Sequence, residues 1–268
     1  MPTPLRVIRD FEYAMPGRGV AYYFVDLNDI RRRILADLPL TPGAAFLDVG
    51  TGDGCFACDA RRLSPRGPVA SIDLSLTEAQ NAARAARLVG CPDIAFMSMD
   101  AYHMAFTAHS FDVVGSFLSV QDAANDESEL VALLGEMSRV LKPQGRLVLA
   151  LITPEDADNA SQRLGIEIYK YIRAGFFSQA EIKRALDALG FQVEPARFYY
   201  SGVNLSVASA KRFIQFECGW WQDTFSLETR RWESVWEKFR PQIQELGGLE
   251  VDDKFTVFVA RKKETRER

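Results

Sequence analysis

Short apolar runs alternate with longer mixed stretches over residues 44–152, a pattern typical of alternating strands and helices. Each run is followed by turn residues or by a helix-start signal. The predicted strands are Ala44–Val49, Pro68–Asp73, Ile94–Ser98, Phe111–Phe117 and Arg146–Ile152. Because strand–helix–strand crossovers are right-handed, we predict an α/β fold with a doubly wound, mostly parallel sheet.

Capping pairs, in which a short polar residue is followed three positions later by glutamate, mark the starts of three predicted helices. The pairs are Ser75 with Glu78, Asp126 with Glu129 and Ser178 with Glu181. The first helix is predicted to run through Arg87 and stop near Gly90, the second to cover Leu130–Leu141, and the third to stop at Gly190. A turn is predicted over Lys142–Gly145.

The pattern changes after Thr153. Predicted strands at Phe191–Tyr200 and Thr256–Ala260 should close the sheet as an antiparallel edge pair. Between them, a helical insert of about residues 204–246 contains all four tryptophans. We therefore expect an N-terminal cap over residues 1–40, with a helix from Asp26 to Ala36, and one α/β domain over residues 41–268.

Composition excludes several classes of protein. Of the 268 residues 47% are hydrophobic, enough for a sizeable core, and the net charge of −4 with no basic stripe argues against a nucleic-acid partner. The first residues lack the apolar run of a signal peptide and no stretch could span a membrane, so we expect a cytoplasmic protein without membrane contact. The Cys55-x-x-Cys58 pair is interpreted as helix packing, and no metal site is predicted.

The strongest chemical signal is the segment DVGTGDG, Asp48–Gly54, directly after the first strand. Glycines allow the sharp turn and the close approach of a ligand to the peptide groups. Asp73, near the end of the second strand, stands where a carboxylate would accept hydrogen bonds from ribose hydroxyls. An NAD-binding fingerprint would need glycine or alanine at Cys55, so an NAD-dependent oxidoreductase ranks last.

The chain resembles the class I S-adenosylmethionine-dependent methyltransferases, which have a Rossmann-like fold. The matching pieces, in order, are LDVGTGDG, SIDLS, MSMDAYHMAF, SFDVVGSF and LKPQGRLVL. The resemblance implies that the glycines pass beneath the amino-acid part of the cofactor, that Asp73 takes the ribose, and that Leu74, Asp100 and Ala101 meet the adenine. Ser116 and Phe117 would lie near the sulfonium. The implied cofactor-binding set is Asp48, Gly50, Thr51, Gly52, Gly54, Asp73, Leu74, Asp100, Ala101, Ser116 and Phe117.

No general base is evident, so the catalytic residues stay unassigned. His103 and His109 are expected on the surface or beside the cofactor, and Gln121 and Asp122 follow the fourth strand, where they could face the acceptor or only cap a helix. That strand ends in SFLSVQD, without the Asn-Pro-Pro-Tyr-like tetrad of relatives that methylate nucleic-acid bases or protein glutamine. We therefore predict methyl transfer to a small, apolar or aromatic molecule of the secondary-metabolite kind.

Aromatic residues of the insert suggest how an acceptor could be enclosed. Trp232, Trp236 and Phe239 share one helix face and are interpreted as packing, whereas Trp220 and Trp221 are expected at a bend. With Tyr22 and Tyr23 of the N-terminal segment and Gln121, these two tryptophans form the predicted acceptor site; the same surface could instead form a homodimer interface. Two alternative functions stay open. One is cyclisation of the cofactor or aminocarboxypropyl transfer, each releasing methylthioadenosine, and the other is that of a non-catalytic, cofactor-binding partner protein.

Overall fold

The computed structural model describes residues 6–8, 30–38, 40–172, 176–200, 203–225, 230–250 and 254–263, the side chains of 6–8, 203 and 220–225 excepted. The chain divides into two compact units. The sheet unit comprises Arg31–Leu151, Phe177–Phe198 and Thr256–Arg268, and the helical unit comprises the rest. Helices and strands are labelled below in chain order, and each unit is described by itself.

Predicted apolar runs become the strands of the sheet unit. These are β2 (Phe46–Val49), β3 (Val69–Asp73), β4 (Ala95–Ser98), β5 (Phe111–Phe117), β6 (Leu141–Leu151), β7 (Phe191–Val193), β8 (Arg197–Tyr200) and β11 (Lys254–Lys262). They lie in the order β4-β3-β2-β5-β6-β11-β7, and β8 also pairs with β11. The first five are parallel, and β11 is antiparallel to both β6 and β7. The prediction of a mostly parallel sheet closed by antiparallel strands is confirmed.

Three of the helices described in the sheet unit begin where capping residues indicated. They are α1 (residues 30–36), α2 (Cys55–Leu63), α3 (Leu76–Leu88), α4 (Val120–Ala123), α5 (Glu127–Val140) and α7 (Gln179–Ala188). Ser75 caps α3, Asp126 caps α5, and Ser178 forms a complete capping box with Glu181 at α7. Each cap satisfies backbone N–H groups that have no partner within the helix. All three predicted helix starts are confirmed to within a few residues.

The predicted turn at Lys142–Gly145 is wrong, because these residues belong to β6. Phe111 of β5 pairs with Leu141 of β6, and Val113 of β5 pairs with Arg146 of β6. An advance of two residues along β5 therefore corresponds to five residues along β6. The additional residues form a bulge that includes a positive φ of 65° at Gln144. The turn-like composition therefore marks an irregularity inside a strand.

The predicted strand Phe191–Tyr200 is two strands, β7 and β8. Pro195 lies in the interval between them and has no N–H to donate to a strand ladder. The single-strand prediction is corrected on this point, although β7 does occupy the predicted sheet edge.

The helical unit contains the predicted insert. Its elements are β1 (Arg6–Ile8), a short 3-10 turn (Pro154–Asp156), α6 (Ala160–Ile172), β9 (Val203–Ser206), α8 (Val207–Phe225), α9 (Trp232–Glu245) and β10 (Gly248–Leu249). The short strands pair in the order β1-β9-β10, a small sheet that was not predicted. No helix among the described residues is long and apolar enough to cross a membrane.

Of the three aromatic residues of α9 that were interpreted as packing, two are buried in the helical unit, and Trp232 is half-buried with the Lys211 ammonium 5.4 Å from its ring. Trp236 and Phe239 are buried. The Phe239 ring lies 5.4 Å from the Tyr171 ring of α6, and the Lys211 ammonium of α8 lies 5.8 Å from the Trp236 ring. The predicted bend at Trp220 and Trp221 is wrong, because α8 continues through both residues.

Candidate cofactor site

The glycine-rich loop, Gly50–Gly54, joins β2 to α2 at the carboxyl end of the sheet. The backbone N–H groups of Gly50 and Thr51 both donate to the carbonyl of Ile72 at 2.9 Å, and the Gly54 N–H donates to the Thr51 carbonyl at 2.8 Å. The loop is thereby held against the end of β3 and turned back toward α2. Its conformation requires φ values of 86° at Gly50 and 47° at Gly52, which favour glycine.

The three loop glycines differ in what surrounds them. A Cβ atom on Gly50 would lie 2.1 Å from the Ser119 hydroxyl, and one on Gly54 would lie 2.9 Å from the Ala82 Cβ, so both glycines permit close packing of protein on protein. A Cβ atom on Gly52 would meet no atom within 4 Å. Gly52 therefore presents its backbone to open space, as a ligand cradle requires.

Asp73 connects the end of β3 to this loop. Its carboxylate accepts hydrogen bonds from the Gly52 N–H at 3.1 Å and from the Ser75 N–H at 2.9 Å. Only 8% of the residue is exposed, and burial raises the pKa of the carboxyl group, with the two N–H donors opposing that shift. The structure thus brings together the acid and the glycine loop that the sequence pattern paired.

Asp48 lies fully buried beneath the loop. Its Oδ2 accepts from the Ser71 hydroxyl at 2.8 Å, and that hydroxyl is also hydrogen-bonded to the Thr51 hydroxyl. Its Oδ1 is buried without a hydrogen-bond partner among the described residues. Burial raises the pKa of Asp48 well above its usual value, the negative charges of Asp53 and Asp73 add to that shift, and the charge of Arg31 opposes it. A cation beside the loop would favour the ionised form of Asp48.

Asp100 lies in the turn after β4, and this turn is fixed beside β3 because the Met99 N–H donates to the Asp73 carbonyl at 2.8 Å. The Asp100 carboxylate accepts from the Tyr102 N–H and lies 2.9 Å from His103 Nδ1. The hydrogen bond with His103 lowers the pKa of Asp100. His103 itself is largely exposed, as expected for a surface position.

Two predicted adenine neighbours lie in the same region. Leu74, which follows Asp73 directly, is 65% exposed, an unusual exposure for a leucine beside a polar site. Ala101, which follows Asp100, is half-buried. Together they offer an apolar surface next to carboxylates, the combination that an adenosine would need.

The end of β5 is joined to the end of β2 by hydroxyl groups. The Ser119 hydroxyl donates to the Val49 carbonyl at 2.7 Å and lies 2.7 Å from the Ser116 hydroxyl. The Phe117 ring lies 5.8 Å from the Phe56 ring of α2. Gln121 is half-buried in α4, just beyond this point. Ser116 and Phe117 therefore lie at the carboxyl edge of the sheet, as predicted.

Some polar residues at the loop were not predicted. Ser71 bonds Asp48, Ser119 bonds Val49, and Arg31 of α1 forms an ion pair with Asp53 of the loop. The sequence contains a signal for Ser71 and for Arg31. Ser71 is a polar residue inside a buried apolar run, and Arg31 stands three and four positions before the buried Ile34 and Leu35, on the same helix face.

Several predicted residues stay untested by the geometry. Tyr22 and Tyr23 lie outside the described residues, and so do the side chains of Trp220 and Trp221. Among the side chains that are described, no group of three or more His, Cys, Asp or Glu residues could hold a metal ion.

The cysteines of α2 lie where burial disfavours their thiolate forms. Burial raises the pKa of the Cys55 thiol to about 12 and also raises that of Cys58. Cys91, remote in sequence, lies with its sulfur 3.8 Å from the Cys58 carbonyl. These contacts support packing as their role.

Comparison with known proteins shows the family of the central part of the sheet unit, residues 47–149. Residues 47–149 match the family described as "Methyltransferase domain", the segment that carries the glycine loop, Asp73 and Asp100. The chain carries a class I S-adenosylmethionine-dependent methyltransferase domain. The resemblance drawn from the motifs is confirmed, and S-adenosylmethionine is the cofactor of this domain.

Curated proteins with similar sequences are also named as methyltransferases. Nocamycin O-methyltransferase of Saccharothrix syringae is 33% identical over 132 residues, which cover 49% of this chain and 44% of that one. Malonyl-[acyl-carrier protein] O-methyltransferase of Marinomonas sp. (strain MWYL1) is 24% identical over 224 residues, 81% of this chain and 80% of that one. The chain spans about half the length of the first of these relatives.

Solved structures agree on the fold. A structure titled as a putative methyltransferase from Bacillus halodurans superimposes with a TM-score of 0.63 at 16% identity, covering 88% of this chain and all of that one. Identity this low concerns the fold alone.

The residues of the methyltransferase domain fit S-adenosylmethionine. Gly52 faces open space, Asp73 stands beside it as a hydroxyl acceptor, and Asp48 has a buried oxygen whose ionised state a cationic ligand would favour. Each observation matches one chemical feature of the cofactor: its bulk, its ribose and its positive charge.

Proposed function

We propose that this protein transfers the methyl group of S-adenosylmethionine to a small apolar or aromatic molecule. The observation that carries the proposal is the hydrogen bond from the Gly52 N–H to Asp73, next to the open side of Gly52. This bond fixes a hydroxyl-accepting carboxylate beside a loop that a ligand can approach closely. In this proposal the amino-acid part of the cofactor lies over Gly50–Gly54, and its ribose binds Asp73. The adenine lies beside Leu74 and Asp100.

In this proposal the chain contributes positioning rather than proton transfer. Bound S-adenosylmethionine supplies an electrophilic methyl group on a sulfonium, so alignment and exclusion of water can account for much of the acceleration. Asp73 holds the ribose, and Asp48 favours a positive charge nearby. His103 is bonded to Asp100, which this proposal places at the adenine end of the cofactor, so the imidazole is not positioned to take a proton from an acceptor at the sulfonium end. An acceptor whose attacking atom ionises readily, such as a phenol or an enol, suits a site of this kind.

Two curated relatives bear on the nature of the acceptor. A relative named for nocamycin supports a small molecule, whereas one named for a malonyl-acyl carrier protein shows that a carrier-bound acceptor has to be tested too. Tyr22, Tyr23, Gln121, Trp220 and Trp221 remain our proposed acceptor residues. The N-terminal cap over residues 1–40 and a covering role for the insert also stay predictions.

Following a labelled methyl group tests the proposal directly. The protein is incubated with S-adenosylmethionine carrying an isotopically labelled methyl group, together with a small-molecule extract or with acylated carrier protein, and products are analysed by mass spectrometry. Label in a new small molecule, with S-adenosylhomocysteine formed, is the expected result. An Asp73→Asn variant should form this product much more slowly.

Other fates of the label identify the alternatives. Label retained in methylthioadenosine would mean cyclisation or aminocarboxypropyl transfer. Label only on the carrier protein would replace the free acceptor by a carrier-bound one. Cofactor that binds but stays intact with every acceptor would indicate a non-catalytic, cofactor-binding protein.

A further inference from the structure

Tyr102 joins the turn after β4 to the short helix α4. Its hydroxyl donates a hydrogen bond to the Ala123 carbonyl at 3.1 Å. Ala123 is the last residue of α4, and the last carbonyls of a helix have no partner within the helix. Tyr102 therefore satisfies one of these carbonyls. It also connects segments that follow β4 and β5, two strands that β3 and β2 separate in the sheet.

The backbone of Tyr102 is bonded to Asp100. The Tyr102 N–H donates to Asp100 Oδ1 at 2.9 Å, and Asp100 Oδ2 lies 2.9 Å from His103 Nδ1. Asp100 is also the residue beside which the adenine is proposed to lie. A path of two hydrogen bonds thus leads from Asp100 through Tyr102 to α4.

The helix α4 is too short to be stable by itself. It comprises Val120–Ala123, a single turn, whereas isolated helices of fewer than about 12 residues are marginal in water. Contacts with the rest of the protein therefore hold this turn closed. At its start the Ser119 hydroxyl donates to the Val49 carbonyl, and Val120 is buried. At its end the Tyr102 hydroxyl supplies the hydrogen bond to the helix carbonyl.

The proposed acceptor residue Gln121 belongs to this one-turn helix and is half-buried. Short elements with few buried residues open at a low cost in free energy. Because Gln121 lies inside the turn, its position depends on whether the turn is closed. A contact that favours the closed turn therefore also favours one placement of Gln121.

The residues after Tyr102 contact a different helix. The Met104 N–H donates to Glu136 Oε1 of α5 at 2.7 Å. Further along the same segment, the Thr107 hydroxyl lies 2.8 Å from the Ser110 hydroxyl. Thr107 thus has a hydroxyl hydrogen bond that stays within the segment, which makes it a matched control for Tyr102.

We propose that Tyr102 is a positioning residue that couples binding of the adenine to closure of α4, and thereby places Gln121 for the acceptor. The inference rests on the proposed cofactor placement beside Asp100. An adenine bonded to Asp100 fixes the turn from which Tyr102 reaches α4. Because coupling between two sites is reciprocal, the bound cofactor and the closed helix turn stabilise each other.

Hydrogen–deuterium exchange of the α4 amides tests the coupling without any acceptor. The N–H groups of Asp122 and Ala123 donate to the Ser119 carbonyl. The Ala124 N–H donates to the Val120 carbonyl. Exchange at these three N–H groups requires that the bonds break, so it reports the opening of α4.

Exchange is followed by NMR with and without saturating S-adenosylhomocysteine. The proteins are the wild type and the variants Tyr102→Phe, Tyr102→Leu and Thr107→Val. The measured quantity is the ratio of the exchange rate without ligand to the rate with ligand, taken within each protein. A substitution that only destabilises α4 raises both rates and leaves this ratio unchanged.

In the wild-type protein S-adenosylhomocysteine should slow the three amides by about three- to tenfold, since a single hydrogen bond is of that strength. Tyr102→Phe and Tyr102→Leu should reduce this factor to less than about twofold while still binding the ligand. Thr107→Val should match the wild type.

An unchanged factor in either Tyr102 variant that folds would overturn the inference, because α4 would then respond to the cofactor by another route. Tyr102 variants that fold but no longer bind the ligand would also overturn it, since Tyr102 would then hold the cofactor itself. A wild-type α4 that does not respond to bound S-adenosylhomocysteine would refute the coupling, although the cofactor placement would stand. A wild-type protein that does not bind the ligand would contradict the cofactor placement itself.

Discussion

A single added methyl group at Gly52 should separate cofactor binding from folding. Gly52 has a φ of 47°, and a Cβ atom there would meet no protein atom within 4 Å. Gly52→Ala should therefore destabilise the fold only through the left-handed backbone, by about 1–2 kcal/mol. For a chain of this size that corresponds to a melting temperature lower by about 2–8 °C.

The added methyl group would occupy the space in which the cofactor is proposed to lie. We expect Gly52→Ala to weaken S-adenosylmethionine binding by at least about tenfold, a loss of about 1.4 kcal/mol in binding free energy. This loss is separate from the loss in unfolding free energy. Calorimetric titration gives the affinity, and urea unfolding without cofactor gives the free energy of unfolding.

Gly190 provides a matched control. It has a φ of 77°, and a Cβ atom added to it would also meet no atom within 4 Å, but it precedes the edge strand β7, which is separated from β2 by β5, β6 and β11. Gly190→Ala should lose a similar amount of stability and keep full cofactor affinity. If the two variants bind S-adenosylmethionine equally well, the cofactor does not approach the loop at Gly52 and the reasoning is wrong.

Three further predictions concern the same loop. Asp73→Asn should weaken S-adenosylmethionine binding by about tenfold or more in calorimetry. The affinity of the wild-type protein should fall as the pH is lowered through the raised pKa of Asp73, because the protonated carboxyl group accepts fewer hydrogen bonds. An affinity independent of pH down to 3.8 would contradict this. Asp48→Asn should gain stability relative to the wild type as the pH rises above 3.8. The raised folded-state pKa of Asp48 gives the wild-type protein stability that is present at low pH and lost on ionisation, and asparagine does not ionise. Urea unfolding of both proteins at several pH values checks this, and a difference in unfolding free energy that does not change with pH would refute it. Gly50→Ala should lose about 2–5 kcal/mol of unfolding free energy, more than Gly52→Ala, because its Cβ would overlap Ser119; equal losses in urea unfolding would contradict this overlap.

The central strands β2 and β3 could be predicted because they are buried along their whole length. All residues of β2 and β3 are buried, and such strands appear as continuous apolar runs that are easily recognised. Helix starts were predictable for a different reason. A side-chain cap such as Ser178 with Glu181 is a local interaction over three residues, so its pattern is visible in the sequence.

What could not be predicted depends on contacts between distant residues. The bulge at Gln144 exists only because β6 pairs with β5, and the small sheet β1-β9-β10 joins short strands that are far apart in the chain. Strands of two to four residues are too short to show an alternating pattern.

The residues of the candidate site show the same distinction between local patterns, which could be predicted, and contacts between distant residues, which could not. The glycine loop and Asp73 were predictable because their motif is compact, and their contact through Gly52 follows from adjacent parallel strands. The ion pair of Arg31 with Asp53 joins a helix to a loop 22 residues later, and nothing in the local pattern pairs them. Contacts of the loop with residues outside the motif are therefore seen only in the structure.

A crystal structure with bound S-adenosylhomocysteine tests the central claim most directly. We predict the ribose hydroxyls within about 2.5–3.0 Å of the Asp73 carboxylate and the amino-acid part over Gly52. A ligand bound elsewhere, or one that lies at the loop without contacting Asp73, would contradict the proposed cofactor site.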